Sequence, residues 1–63
     1  MYQNIIAEMA RNNYTREKLA KRLDISLPNL RKRIRGDAQW KINEIYELLS
    51  LFDTDFEYLF TKF

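Results

Sequence analysis

The spacing of apolar residues is helical along the whole chain. Apolar side chains recur three and four positions apart, and no segment alternates between apolar and polar residues for long enough to form a β-strand. We therefore predict an all-α fold. Five helices are expected: residues 3–12, a second capped by Thr15, a third from Leu27 to just before Gly36, residues 42–52, and a short fifth capped by Asp55.

The same spacing predicts which side chains form the core. They are Ile5, Ile6, Met9, Ala10, Leu19, Ala20, Leu23, Leu30, Ile34, Ile45, Leu48, Leu49, Phe52, Phe56, Leu59 and Phe60. The aromatic residues could instead stack on single-stranded nucleic acid, but their helical spacing favours the core. Tyr58, Phe60 and Phe63 are also candidates for an exposed apolar patch, which in so short a chain could form a dimer interface.

The length and composition exclude several classes of protein. A chain of 63 residues has room for one domain, residues 1–63, and a domain of this size is close to the lower limit for folding alone. The absence of cysteine and histidine excludes disulfides and a Cys/His zinc site. No segment reaches the roughly 20 apolar residues of a membrane span, and no secretory signal precedes the domain. We therefore expect a soluble protein of the cytoplasm.

Residues 15–34, TREKLAKRLDISLPNLRKRI, are typical of two short helices joined by a tight turn. Thr15 and Ser26 are suited to cap the two helices, because their hydroxyl groups can accept backbone N–H groups of the first turn. Pro28 fits the first turn of the second helix, where its missing N–H costs no helical hydrogen bond. This arrangement is a helix-turn-helix.

Charge is distributed unevenly along the chain. Residues 11–41 contain ten basic and three acidic residues, a net charge of +7, whereas residues 42–63 contain one basic and five acidic residues, a net charge of −4. One surface should attract a polyanion, although a solvated surface without function remains the alternative. We expect a helical ion pair between Glu17 and Lys21. Glu44 and Glu47 are interpreted as solvated, or as acidic residues that stabilise a helix start.

The predicted third helix has a basic outer face. At about 100° per residue, Ile34 lies near Leu30 and faces the core, and the opposite side carries Pro28, Arg31, Lys32 and Arg35. Arginine and lysine can donate to guanine O6 and N7, so Arg31 and Lys32 are the candidates for base contact. Phosphate contacts are expected from the side chains of Arg16, Asn29 and Arg35. Backbone N–H groups at the starts of the second and third helices, which Thr15 and Ser26 cap, can also bind phosphate.

The chain resembles the Cro/CI-type, or XRE-like, helix-turn-helix family of phage and bacterial repressors. The resemblance is carried by the residues Thr15, Leu19, Ala20, Leu23, Ile25, Ser26, Leu30, Ile34, Gly36, Glu44, Ile45, Leu48, Phe52, Glu57, Tyr58, Leu59 and Phe60. It implies a five-helix, lambda-repressor-like domain whose third helix enters the major groove. It also implies a homodimer on a palindromic operator in a bacterial host cell.

The chain departs from the family pattern at four positions. Arg16 replaces a common glutamine, and Asp24 replaces the glycine of the turn, where the backbone must be left-handed. Leu27 and Pro28 stand where base-reading residues are common, and neither offers a side-chain hydrogen bond. Leu27 is predicted to pack against the core; contact with a thymine methyl group is the alternative.

These observations predict a sequence-specific regulator of transcription that binds double-stranded DNA and is similar to a phage Cro-like repressor. The alternative is a protein-interaction module on the same fold, antirepressor-like or polymerase-binding, that uses Leu27, Pro28 and the acidic residues 42–63. No enzyme is expected, because the chain lacks histidine, cysteine and a phosphate-binding loop. No cofactor is expected either.

Overall fold

The computed structural model describes all 63 residues. It contains five helices: α1 (Gln3–Arg11), α2 (Arg16–Leu23), α3 (Leu27–Arg35), α4 (Ile42–Phe52) and α5 (Phe56–Leu59). The all-α class and the five predicted helices are confirmed, and α1 ends one residue earlier than expected. None of the helices is both long and apolar enough to cross a membrane.

Local hydrogen bonds explain where α2 and α3 begin and end. The Thr15 hydroxyl accepts the Lys18 N–H at 3.1 Å, and the Ser26 hydroxyl accepts the Asn29 N–H at 3.3 Å. Asp24 ends α2 with a φ of 57°, the left-handed conformation predicted for the turn. Gly36 ends α3 with a φ of 90°, which glycine adopts without steric cost. Asp55 precedes α5 as expected, but its side chain makes no capping hydrogen bond.

The core draws residues from all five helices. Its ten buried apolar residues are Ile5, Met9, Leu19, Ala20, Leu23, Leu30, Ile34, Leu48, Phe52 and Leu59. Ile6, Leu49 and Phe60 are half-buried and pack against this cluster. The predicted burial of Ala10 and Phe56 is wrong, because both are exposed. Helix α5 is only one turn long, so it buries Leu59 while Phe56 stays 53% exposed and stacks on Phe60.

An aromatic cluster fixes the loop that follows α3. The Trp40 ring lies edge-on to Tyr2 and Phe60, with ring centroids 6.2 and 5.6 Å apart. The Tyr2 N–H donates to the Ile34 carbonyl near the end of α3 at 2.9 Å. Edge-to-face packing of this kind adds to the free energy of burial. Residues distant in sequence therefore hold the C-terminal end of α3 in place.

Tyr58 on α5 is hydrogen-bonded to α1, and this contact makes stability depend on pH. Its hydroxyl donates to the carboxylate of the buried Glu8 at 2.9 Å. This hydrogen bond, together with burial, raises the pKa of Tyr58 above its ordinary value of 10.0. Because the folded-state pKa is the higher one, the stabilisation is complete below pH 10 and is lost as the pH rises through the raised pKa.

We therefore expect Tyr58→Phe to destabilise the fold at neutral pH and to flatten the decline of stability on the alkaline side. Urea unfolding at intervals from pH 7 to about pH 11 measures both effects. Tyr46→Phe is the matched control, since Tyr46 is 66% exposed. Equal alkaline declines in the wild type and Tyr58→Phe would show that the Glu8 contact contributes nothing.

Candidate nucleic-acid interface

The outer face of α3 is exposed as the sequence predicts. Leu30 and Ile34 are buried against the core, and this orientation fixes the rotation of the helix. The opposite side presents five exposed residues, Pro28, Asn29, Arg31, Lys32 and Arg35. Of the other predicted site residues, Arg16 is exposed at the start of α2 and Ser26 is exposed just before α3. The site residues thus lie on α3, immediately before it, and at the beginning of α2.

Leu27 differs from its neighbours on α3. It is half-buried and packs against the core cluster, as the packing interpretation predicted. Its side chain helps to anchor the first turn of α3. Pro28, the next residue, is exposed. The two apolar residues at the start of α3 therefore have different surroundings.

Some of the basic side chains are neutralised by ion pairs within the chain, and the others are not. Carboxylates lie within 4.0 Å of Arg11, Arg22, Arg33 and Arg35. Arg35 binds Asp37 at 2.9 Å, and both side chains are at least half exposed. Seven cations have no such partner, namely Arg16, Lys18, Lys21, Arg31, Lys32, Lys41 and Lys62. The two predicted base-contacting residues, Arg31 and Lys32, are therefore not neutralised by an acidic side chain of this chain.

The predicted pairing of Glu17 with Lys21 is wrong, since no contact within 4.0 Å joins them. The ion pair of α2 is made instead by Arg22, whose Nε lies 3.2 Å from Glu47 Oε1 on α4. The hydrogen bond to Glu47 raises the pKa of Arg22. A tertiary contact between α2 and α4 thus replaces the local one expected from helical spacing.

An open groove brings Arg16 and Arg31 to one surface. Its walls come from the end of α1, the start of α2 and the middle of α3, and it is lined by Ile6, Met9, Ala10, Tyr14, Thr15, Arg16, Glu17 and Arg31. The sequence places Arg16 on α2, where a phosphate contact is predicted, and Arg31 on α3, where a base contact is predicted. Because they line the same groove, an anionic ligand at this surface would be attracted by both.

The two helix starts differ in the hydrogen-bond donors that they offer. At the start of α2, Thr15 accepts the Lys18 N–H, and the N–H groups of Arg16 and Glu17 have no acceptor in the chain. At the start of α3, Ser26 accepts the Asn29 N–H, and Pro28 has no N–H to donate. The start of α2 is thus better suited to bind a phosphate group.

A buried ion pair fixes the inner side of α3 to α4. Arg33 Nε donates to Glu44 Oε1 at 2.8 Å, and the two side chains are only 10% and 2% exposed. The same carboxylate oxygen accepts the Lys41 N–H at 2.9 Å at the start of α4. Of the two interpretations of Glu44, the solvated residue is wrong, because the side chain is buried, and the residue that stabilises the helix start agrees with the structure.

Sequence reasoning missed the structural role of Arg33. A signal was present in the helical count, since Arg33 falls about 60° from Leu30, beside the inner face of α3. Its charge is neutralised inside the domain and is not available to the outer surface. The net positive charge at the surface is therefore lower than the net charge of residues 11–41 suggests.

A family model described as helix-turn-helix matches residues 5–59, nearly the whole chain. The chain belongs to this helix-turn-helix family. The match confirms the resemblance to Cro/CI-type, XRE-like proteins and the role of a DNA-binding regulator of transcription. Domains of this family are regulatory and generally non-enzymatic. No curated protein and no solved structure matches the sequence.

Proposed function

We propose that residues 1–63 form a single domain that binds specific sites in double-stranded DNA and represses transcription in the manner of a phage Cro-like repressor. The observation that carries this proposal is the outer face of α3. Arg31 and Lys32 are exposed there without a neutralising carboxylate, while the inner face of the same helix is buried. A helix fixed in this way presents its donors to base edges in the major groove.

Each residue of the proposed site has a role suited to its surroundings. Arg31 and Lys32 contact bases, whereas Arg16 and Asn29 contact phosphates. Arg35 also contacts a phosphate, in exchange for or alongside Asp37, because that ion pair is solvent-exposed and therefore weak. The backbone donors at the start of α2 fix the position of the domain on the DNA backbone.

The bacterial cytoplasm is the proposed location, and the proposed active form is a homodimer on a palindromic operator. An exposed aromatic surface at the C-terminal end of the chain supports self-association: Phe56 is 53%, Tyr58 37% and Phe63 71% exposed. Burying such residues between two copies is favourable and would compensate for the small core of each copy. A two-fold axis would then place one α3 in each half of the operator.

A second candidate is a protein-interaction module on the same fold. The observation that favours it lies on α4, where Ile42 and Tyr46 are 62% and 66% exposed. Tyr46 borders a groove that also includes Asp24 and the ion pair of Glu47 with Arg22. Exposed apolar side chains near the carboxylate of Asp24 are suited to a partner with an apolar centre and a basic group at its rim.

Selection of bound duplexes from a random DNA pool, followed by a salt titration on the enriched site, tests the proposal. We expect a palindromic consensus with half-sites about one helical turn apart. A plot of the logarithm of the binding constant against the logarithm of the salt concentration should be linear. Its slope should be about −0.9 for each phosphate contact. If no sequence is enriched even at low salt, specific DNA recognition is wrong and the protein-interaction module is favoured.

A further inference from the structure

We infer that Pro28 recognises the C5-methyl group of a thymine in each operator half-site. This inference rests on the proposed function, since it requires α3 to lie in the major groove. It assigns a ligand group to the exposed residue of α3 that has neither a hydrogen-bonding side chain nor a charge. In the major groove the thymine methyl is the distinctive apolar group that a protein can contact.

The surroundings of Pro28 distinguish it from Leu27. Leu27 is half-buried and packs against the core, so much of its apolar surface is already covered. Pro28 is exposed. It lies on the same side of α3 as Lys32, which follows it by about one helical turn. Its ring therefore belongs to the surface that faces the bases, whereas Leu27 supports that surface from beneath.

The backbone at the start of α3 also favours an apolar contact. Pro28 has no N–H, and the Asn29 N–H is already bound by the Ser26 hydroxyl at 3.3 Å. The first turn therefore lacks two of the donors with which helix starts usually bind phosphate. An anionic oxygen placed against Pro28 would lose water without gaining a hydrogen bond. A methyl group in the same place loses nothing, and it buries apolar surface of both partners.

The helix geometry gives the expected position of this thymine. Pro28 and Lys32 are four residues apart, which is about 6 Å along the helix axis. Successive base pairs are about 3.4 Å apart. Because a helix in the major groove is inclined to the DNA axis, the thymine should lie within about two base pairs of the guanine with which Lys32 forms its hydrogen bond.

Replacement of each thymine of the enriched site by deoxyuridine tests the inference, because it removes the methyl group and keeps every hydrogen-bonding atom. With the wild-type protein, we expect one thymine in each half-site at which this change weakens binding about fourfold. With Pro28→Ser, which is compatible with the first turn of a helix, the same replacement should have no effect. Thymines outside the half-sites serve as controls on the DNA.

Lys32→Gln is the matched control on the protein. It should lose the preference for the nearby guanine and retain the fourfold effect of the methyl group. A deoxyuridine effect of equal size in wild type and Pro28→Ser would overturn the assignment to Pro28. An enriched site with no sensitive thymine would overturn it as well, while leaving the proposed function intact. Failure to enrich any site would overturn both.

Discussion

Replacing Glu44 with alanine is expected to lower the free energy of unfolding by about 3–5 kcal/mol. The substitution leaves Arg33 buried next to α4 without the carboxylate that its Nε contacts at 2.8 Å. It also removes the acceptor of the Lys41 N–H. Small domains commonly have a total stability of about 5–15 kcal/mol, so much of the population could unfold. Urea unfolding followed by circular dichroism measures the change.

Glu47→Ala is the matched control, because Glu47 lies on the same helix and also pairs with an arginine. That pair is 46% and 38% exposed, so its loss should cost no more than about 1 kcal/mol. The double variant Arg33→Met with Glu44→Leu should recover most of the stability lost in Glu44→Ala, since neither charge remains buried alone. Equal losses in Glu44→Ala and Glu47→Ala would contradict a special role for the buried pair.

Replacing Arg31 with alanine is expected to cost about 1–3 kcal/mol of binding free energy on the selected operator. The reason is its exposed guanidinium, which has no carboxylate partner and can donate two hydrogen bonds to a guanine. The loss should be confined to the cognate base pair, so the variant should bind a site substituted at that pair almost as well as the original. Titrations against a panel of singly substituted duplexes measure both effects.

Two further variants separate base contact from general attraction. Arg16→Ala should weaken binding to all duplexes of the panel alike and reduce the salt slope by about one. Lys21→Ala removes an exposed, unpaired cation from α2, outside the proposed site, and should leave the preference for each base unchanged. If Arg31→Ala weakens binding to every duplex equally, Arg31 contacts a phosphate and the assignment to a base is wrong.

The helices and their boundaries could be predicted because they depend on interactions within a few residues. Thr15 and Ser26 each accept an N–H three positions ahead, and Gly36 ends α3 by its own conformational freedom. The rotation of α3 was also predictable, since Leu30 and Ile34 must face the core. For the same reason the sequence predicted which residues of α3 are exposed.

Partnerships between distant residues could not be predicted in this way. Glu44 belongs to an acidic part of the chain, and its burial beside Arg33 depends on how closely α3 and α4 approach each other. Phe56 has core spacing, yet α5 is too short to bury it together with Leu59. Helical spacing predicts which side of a helix a residue lies on. It does not predict how closely a neighbouring helix approaches or how far the helix itself extends.

The sequence by itself determined the five helices, the caps of α2 and α3 and the basic outer face of α3, because these follow from local hydrogen bonds and helical periodicity. Only the tertiary structure decided which charges remain free at the surface. Ion pairing depends on distances of a few ångströms between side chains of different helices, and those distances arise from packing. Packing neutralised Arg33 inside the domain and brought Arg16 to the same groove as Arg31.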